Sequence, residues 1–322
     1  MHAVAGPGRW VWGLSGLVTA AALAVPGARL IAHAGVPGYS PAPPDTVVRT
    51  FTVSQPVTSL DVQTYGTPVQ VTAGPVPRVQ VTETIQYDPK GGGAPAVRPS
   101  VSGGHLTLSG TACNVRDCGV SFAVTVPPGV AVAVATEGGP IIVSGTAGAK
   151  LDSGSGPVSA TRIDGPLTVT TEGGPLIVNG LTGPLSADTA SGPLLARDVA
   201  AATVTVITGG GQAGIGFTAV PHTVVVSTDG GPATLAVPGG PYVLTANSDG
   251  GPELVGISTD PAADRAITIT TSGGPLQIVP ANRAPAKPNY LQLVLPNPPK
   301  PNLPNLPNPP KPNLPNPKPG PT

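Results

Sequence analysis

The chain reads Pro157-Val158-Ser159-Ala160, Pro166-Leu167-Thr168-Val169, Pro175-Leu176-Ile177-Val178, Pro184-Leu185-Ser186-Ala187 and Pro193-Leu194-Leu195-Ala196, one phrase every nine residues. Each phrase predicts one short strand and one turn. Alternation places Val158, Leu167, Leu176, Leu185 and Leu194 on one side of their strands, with Ala160, Val169, Val178, Ala187 and Ala196 two residues later. That side is the predicted interior. The seventh position is Ile163, Leu181 and Val199 in alternate phrases but Glu172 and Ala190 between them, so the true unit is eighteen residues.

Self-similarity at this period is the signature of a solenoid, in which one coil cannot bury its apolar face until its neighbours stack on it. The expectation is an all-β, parallel β-helix-like β-solenoid with two strands per coil and coils of about 18–20 residues. The turns Glu137-Gly138-Gly139, Glu172-Gly173-Gly174, Ser191-Gly192, Asp229-Gly230-Gly231, Asp249-Gly250-Gly251 and Ser272-Gly273-Gly274 mark one corner per coil. Roughly eight coils at about 4.8 Å each give a stack on the order of 40 Å. Glycine supplies positive φ at such corners, and the proline after it opens a strand where a missing N–H costs least. An antiparallel meander is the competing arrangement, but hairpins do not require one interior pattern to repeat in register.

Five segments follow from composition. Residues 1–34 are a membrane anchor or a signal peptide, and both readings stand. Trp10 to Val25 is apolar, the run up to Ala28 is nearly long enough for one transmembrane helix although Pro26-Gly27 weakens its end, and if uncleaved the span is read over 10–31, while Ala32-His33-Ala34 fits cleavage after Ala34. Either way the remainder is exported, to the outer side of a cell membrane if anchored or to the medium if cleaved. Residues 35–46 are a linker, 47–134 a strand-rich N-terminal cap continuous with the stack, 135–280 the repeats, and 281–322 a tail rich in Pro, Asn and Lys. In the tail Pro296 to Asn305 recurs as Pro307 to Asn316, which predicts extended polyproline II.

Cys113 and Cys118 are the only cysteines, and in an exported chain they predict a disulfide across a short loop. Sixteen basic and sixteen acidic residues cancel, which argues against a nucleic-acid partner, since that needs a basic stripe. Aromatics are 3% of the chain, and the strand region and tail offer only Tyr65, Tyr87, Tyr242 and Tyr290 as sugar platforms.

No catalytic, cofactor or metal residues are assigned. A catalytic β-helix needs acids converging from neighbouring coils. The corner column reads Glu137, Gly154, Glu172, Ala190, Thr208, Asp229, Asp249, Ser272, so acids alternate with neutral residues, and only Asp229 and Asp249 are expected on adjacent coils as a weak cation site or simple turn formers. His105 and His222 show no Ser or Cys partner at a recognisable spacing. Gly209-Gly210-Gly211-Gln212-Ala213-Gly214 opens no helix and is not a nucleotide loop.

The opening from Phe51 to Ala73, the Val124-Thr125-Val126-Pro127-Pro128-Gly129-Val130 strand and the Pro-Leu-x-Val repeats resemble the bacterial "putative adhesin" family of β-strand repeat proteins, across about Val47 to Pro280. The resemblance implies a right-handed β-solenoid outside a bacterial membrane and little chemistry. Proline follows the glycines here where many members carry Asp or Glu. The expected function is a non-catalytic envelope or surface interaction module with an unidentified envelope protein or wall polymer as partner. A passive spacer or sensory ectodomain is the alternative, and a carbohydrate-active enzyme a more distant one.

Overall fold

The computed structural model describes residues 45–89, 94–110 and 118–283. The apolar segment 10–31, Cys113 and the proline-rich tail lie outside them. Among the described residues no helix is long and apolar enough to cross a membrane.

The fold is all-β. The N-terminal part holds β1 (Asp45–Thr52), β2 (Ser59–Thr64), β3 (Val69–Ala73), β4 (Gln80–Tyr87), β5 (Ser100–Ser102), β6 (His105–Ser109) and β7 (Gly119–Val126). The repeats supply β8 (Ala131–Thr136), β9 (Ile141–Ser144), β10 (Ala149–Ser153), β11 (Val158–Ile163), β12 (Leu167–Thr171), β13 (Leu176–Leu181), β14 (Leu185–Asp188), β15 (Leu194–Val199), β16 (Thr203–Thr208) and β17 (Ala213–Phe217). The C-terminal part holds β18 (Thr223–Thr228), β19 (Ala233–Val237), β20 (Val243–Asn247), β21 (Glu253–Val255), β22 (Ala266–Thr271) and β23 (Leu276–Pro280). Tyr87 is the last residue of β4.

From β8 to β19 successive strands alternate between two sheets, and each strand from β8 to β17 pairs in parallel with the strand two further along. Leu167 sits beside Leu185 and Leu176 beside Leu194, eighteen residues apart. The step grows to nineteen at Leu185–Val204 and twenty at Val204–Val224. Among the described residues antiparallel pairing is confined to β1–β4–β7 and β5–β6, so the repeats are not a meander. Neither sheet closes on itself.

The inner faces form one core. Val158, Leu167, Leu176, Leu185 and Leu194 are buried, as are Ile163, Leu181 and Val199 at the seventh position. Phe217 and Val237 continue that seventh-position column. The alternating residues of the N-terminal part, Leu60, Val62, Val69, Val71, Val81, Leu106 and Leu108, enter the same core.

Two columns at one corner hold the layers in step. The first is a ladder of buried hydroxyls: Ser153, Thr171, Thr189, Thr208 and Ser248 each donate to the carbonyl three residues on, at 2.6–3.0 Å. Thr228 and Thr271 make the same bond at 2.5 Å. The hydroxyl closes the turn from inside, where water cannot. The second column is the acceptor itself, Gly156, Gly174, Gly192, Gly211, Gly231, Gly274 and Gly251. A Cβ on any of these would lie well under 3.0 Å from the backbone of the glycine one layer below. Gly156 in turn rests on Gly139. The need here is close backbone approach. Positive φ falls one residue earlier, at Gly230, Gly250 and Gly273. The residue after the glycine, usually proline, gives its carbonyl to the layer below, as in Val158 N–H to Pro175 and Leu176 N–H to Pro193, both 2.9 Å. Proline loses nothing there.

This register corrects the corner column. Thr208 belongs with the buried hydroxyls, and Gly209, whose backbone rests on Ala190, takes its place.

Both ends break chain order. The layer β2–β3 lies between β6–β7 and β8–β9, although β6 and β7 come later than β2 and β3 in the chain. At the other end β22–β23 lies between β18–β19 and the terminal layer β20–β21. The chain runs out past a gap with β20 and β21, then returns to fill it.

Three substitutions test this account by chemical unfolding. Leu176→Asp puts an unpaired carboxylate between layers and should cost several kcal/mol; wild-type melting would refute the interior assignment. Gly174→Ala meets backbone and should cost roughly 2–3 kcal/mol or more. Gly273→Ala, in open space but at positive φ, should cost about 1–2 kcal/mol, and equal losses at the two sites would contradict the close-approach role.

Candidate functional site

The outer face of β8 presents Ala131, Ala133 and Ala135, while the flanking strands present Ser59, Asp61 and Gln63 on β2 and Lys150 and Asp152 on β10. Short side chains between longer ones make a trough along β8. At the end where β8 leaves the sheet, the trough opens into a hollow of about 350 Å³ lined by Gln63, Tyr65, Ala135, Glu137, Asp152 and Glu172. Tyr65 is 48% exposed, the one tyrosine among the described residues with its ring largely in solvent. At the opposite end lies a hollow of about 460 Å³ lined by Ser59, His105, Ala131, Ala133, Lys150 and Thr168. One end is therefore acidic, and the other carries Lys150 and His105.

Sequence spacing did not reveal a partner for His105, but parallel pairing of β2 with β6 sets Ser59 beside it, with Oγ 2.8 Å from Nδ1. The pair is exposed. His222, also exposed, has its Nδ1 3.2 Å from the Thr223 hydroxyl. A hydroxyl and an imidazole can present a donor and an acceptor to a polar ligand. Tyr242 is fully buried and donates to the Pro238 carbonyl at 2.6 Å, and Tyr87 is half-buried, so neither is a platform. Tyr290 lies outside the described residues.

Asp229 and Asp249 are not on neighbouring strands. β22 lies between β18 and β20, so Ser272 separates the two acids. The Asp229 N–H bonds to Thr208 and the Ser272 N–H to Thr228, while Asp249 takes a positive φ and its N–H bonds to the Asn247 side chain. They are corner residues. Among the described residues no group of three or more His, Cys, Asp or Glu is placed to hold a metal ion. Cys118 packs against the core, and its expected partner Cys113 lies outside the described residues.

Among the described residues one carboxylate is buried. Glu83 on β4 lies between Val81 and Ile85, and its side chain is 2% exposed, with Oε1 3.5 Å from Nη1 of the half-exposed Arg49 directly opposite on β1. Burial pushes the Glu83 carboxyl above its usual range, and Arg49 offsets part of that. The folded state therefore holds this proton more tightly than the unfolded chain. Its contribution to stability is complete below the usual carboxylate range and is lost as pH rises through the raised value. In urea unfolding between acid and neutral pH, Glu83→Gln should remove that part of the decline with pH; an unchanged pH dependence would refute the assignment.

No family model matches the chain, and no curated protein matches it. Solved structures do. A putative adhesin from Parabacteroides merdae superposes with a TM-score of 0.50 at 12% identity, over 72% of this chain and 95% of that one. A putative adhesin from Parabacteroides distasonis gives 0.47 at 14% identity, over 73% and 97%. A protein from the same species named a putative lipid binding protein gives 0.42 at 15% identity, over 72% and 96%. The chain is thus similar in structure to proteins named as putative adhesins, and at this identity what the first match shows is the fold.

Proposed function

We propose that the chain is a non-catalytic β-solenoid that works outside the cell as a surface interaction module, holding an extended ligand in the β8 trough. The observation that supports it most is the trough itself, about six residues or roughly 20 Å long, acidic at one end and carrying Lys150 and His105 at the other, on a face whose layers are locked by glycine contacts. A ligand groove on so stiff a support loses little freedom on binding. The names of the structural neighbours agree with a surface role. Residues 47–134 act as the N-terminal cap, 135–280 as the stack, and 281–322 as the tail, with the part from Pro296 onward a polyproline II tether in the wall. Residues 1–34 export the chain and, if uncleaved, anchor it through 10–31. Cys113 and Cys118 close their loop as a disulfide. The partner is a wall polymer or an envelope protein.

A pull-down with the labelled, oxidised chain against intact cells, isolated wall polymers and solubilised envelope proteins tests this. Saturable binding to one of them is expected. Ala133→Arg should fill the trough and weaken that binding about tenfold or more, since a large side chain there blocks contact without entering the core, while leaving the melting temperature unchanged. Binding equal to wild type in Ala133→Arg would place the site elsewhere, and no binding to any of the three would leave a passive spacer.

A further inference from the structure

The two ends of the β8 trough hold different chemistry, and together they narrow its ligand. The hollow at the Ser59 end is lined by Lys150 and His105, with no carboxylate among its lining residues. Asp61 stands across Ala133 from Lys150, but it accepts from the Gln63 side chain at 3.3 Å, toward the other end of the trough. Among the described residues no acid lies within ion-pair distance of Lys150. Its ammonium therefore has donors to spare. The Ser59–His105 pair adds one more: if the hydroxyl donates to Nδ1, the Nε2 N–H is left for a ligand, and if Nδ1 donates, the hydroxyl is left. The floor between them is Ala131 and Ala133. Donors and a positive charge over an apolar floor select an oxyanion, because low polarity strengthens a charged hydrogen bond.

The hollow at the other end is built for hydroxyls. Glu137, Asp152 and Glu172 supply acceptors, and the half-exposed ring of Tyr65 stands beside them. Carboxylates around a flat aromatic ring suit a sugar, whose hydroxyls donate and whose C–H face packs on the ring. A peptide strand finds less to hold. β8 lies inside its sheet and spends its backbone on β2 and β10, so the trough offers no N–H or C=O ladder for a peptide to join. We infer that the ligand is an anionic glycan, with a sugar ring on Tyr65 among the carboxylates and a carboxylate or phosphate of the same polymer on Lys150 and the Ser59–His105 pair. This rests on the β8 trough being the binding site, and it narrows the partner to a wall polymer of that chemistry. The spacing of charge follows. A polymer ionised on every unit would set an anion against Glu137 and Glu172, so the matching glycan carries its anions about one trough length apart or more, roughly 20 Å.

Isolated wall polymers test this against the full-length chain in three forms: untreated, with carboxylates reduced to alcohols, and with phosphates removed. Wild-type protein should bind the untreated polymer, and one of the two treatments should weaken binding about tenfold or more, which names the anion. Lys150→Gln should weaken binding of untreated polymer by a similar factor and bind the treated polymer as wild type does. Tyr65→Ala should weaken binding of both forms alike. Lys150 and Tyr65 are exposed, so the melting temperature of each variant should stay that of wild type. Binding that survives both treatments, or that is unchanged in Lys150→Gln, while Ala133→Arg abolishes it, would overturn the anionic glycan and leave the trough as the site. Binding of envelope proteins alone, lost in Ala133→Arg, would do the same. Polymer binding untouched by Ala133→Arg would remove the trough, and this inference with it.

Discussion

The rest of the structure depends on backbone touching backbone at one corner. From Gly139 through Gly156, Gly174, Gly192, Gly211 and Gly231 to Gly274 and Gly251, each glycine leaves no room for a side chain against the layer below. Such a contact tolerates no slip. A shift of one residue in one direction would bring proline, or Gln212, into the column, and a shift in either direction would turn every buried leucine outward. The hydroxyl ladder of Ser153, Thr171, Thr189 and Thr208 closes the same turns from within. With register fixed there, strand length and interior side chains follow, and the opposite corner, where only Gly165 and Gly183 make such contacts, varies more. Arg162, Gly180 and Asp198 take positive φ at that opposite corner, three different residue types in one column.

The two ends solve a problem the middle does not have. A stack of identical layers would end on an open apolar face and unpaired backbone. At the N-terminal end antiparallel β1 and β4 are added to β7, and an inward Glu83 paired with Arg49 puts one polar pair among the interior positions of that end. At the C-terminal end β20 and β21 are laid down first and β22–β23 slips beneath them. The final layer is thus tied to the body by chain on both sides.

Much of this was legible in the sequence because the repeat is written in side chains. The buried positions Val158 to Leu194 and the seventh-position residues were readable from alternation alone. What was not readable was order in space. Nothing local in Asp249-Gly250-Gly251 or Ser272-Gly273-Gly274 tells which corner lies further out, so Asp229 and Asp249 looked adjacent. The hydroxyl ladder did have a signal, Ser or Thr three residues before the glycine in coil after coil. It was obscured by the acid that often follows the hydroxyl, which drew Thr208 into the wrong column. The trough on β8 and the contact of Ser59 with His105 arise from pairing across 46 residues, which no local pattern encodes.

The outward column Lys150, Thr168, Ser186, Thr205, Val225, Thr268, Thr245 tests the parallel, in-register winding most directly. Spin labels at Lys150 paired in turn with Thr205, Val225, Thr268 and Thr245 would report distances by pulsed electron resonance. The winding predicts increments of about 4.8 Å per layer, with Thr268 nearer to Lys150 than Thr245 despite its later place in the chain. Distances that fail to grow by a constant step, or that place Thr245 nearer than Thr268, would contradict it.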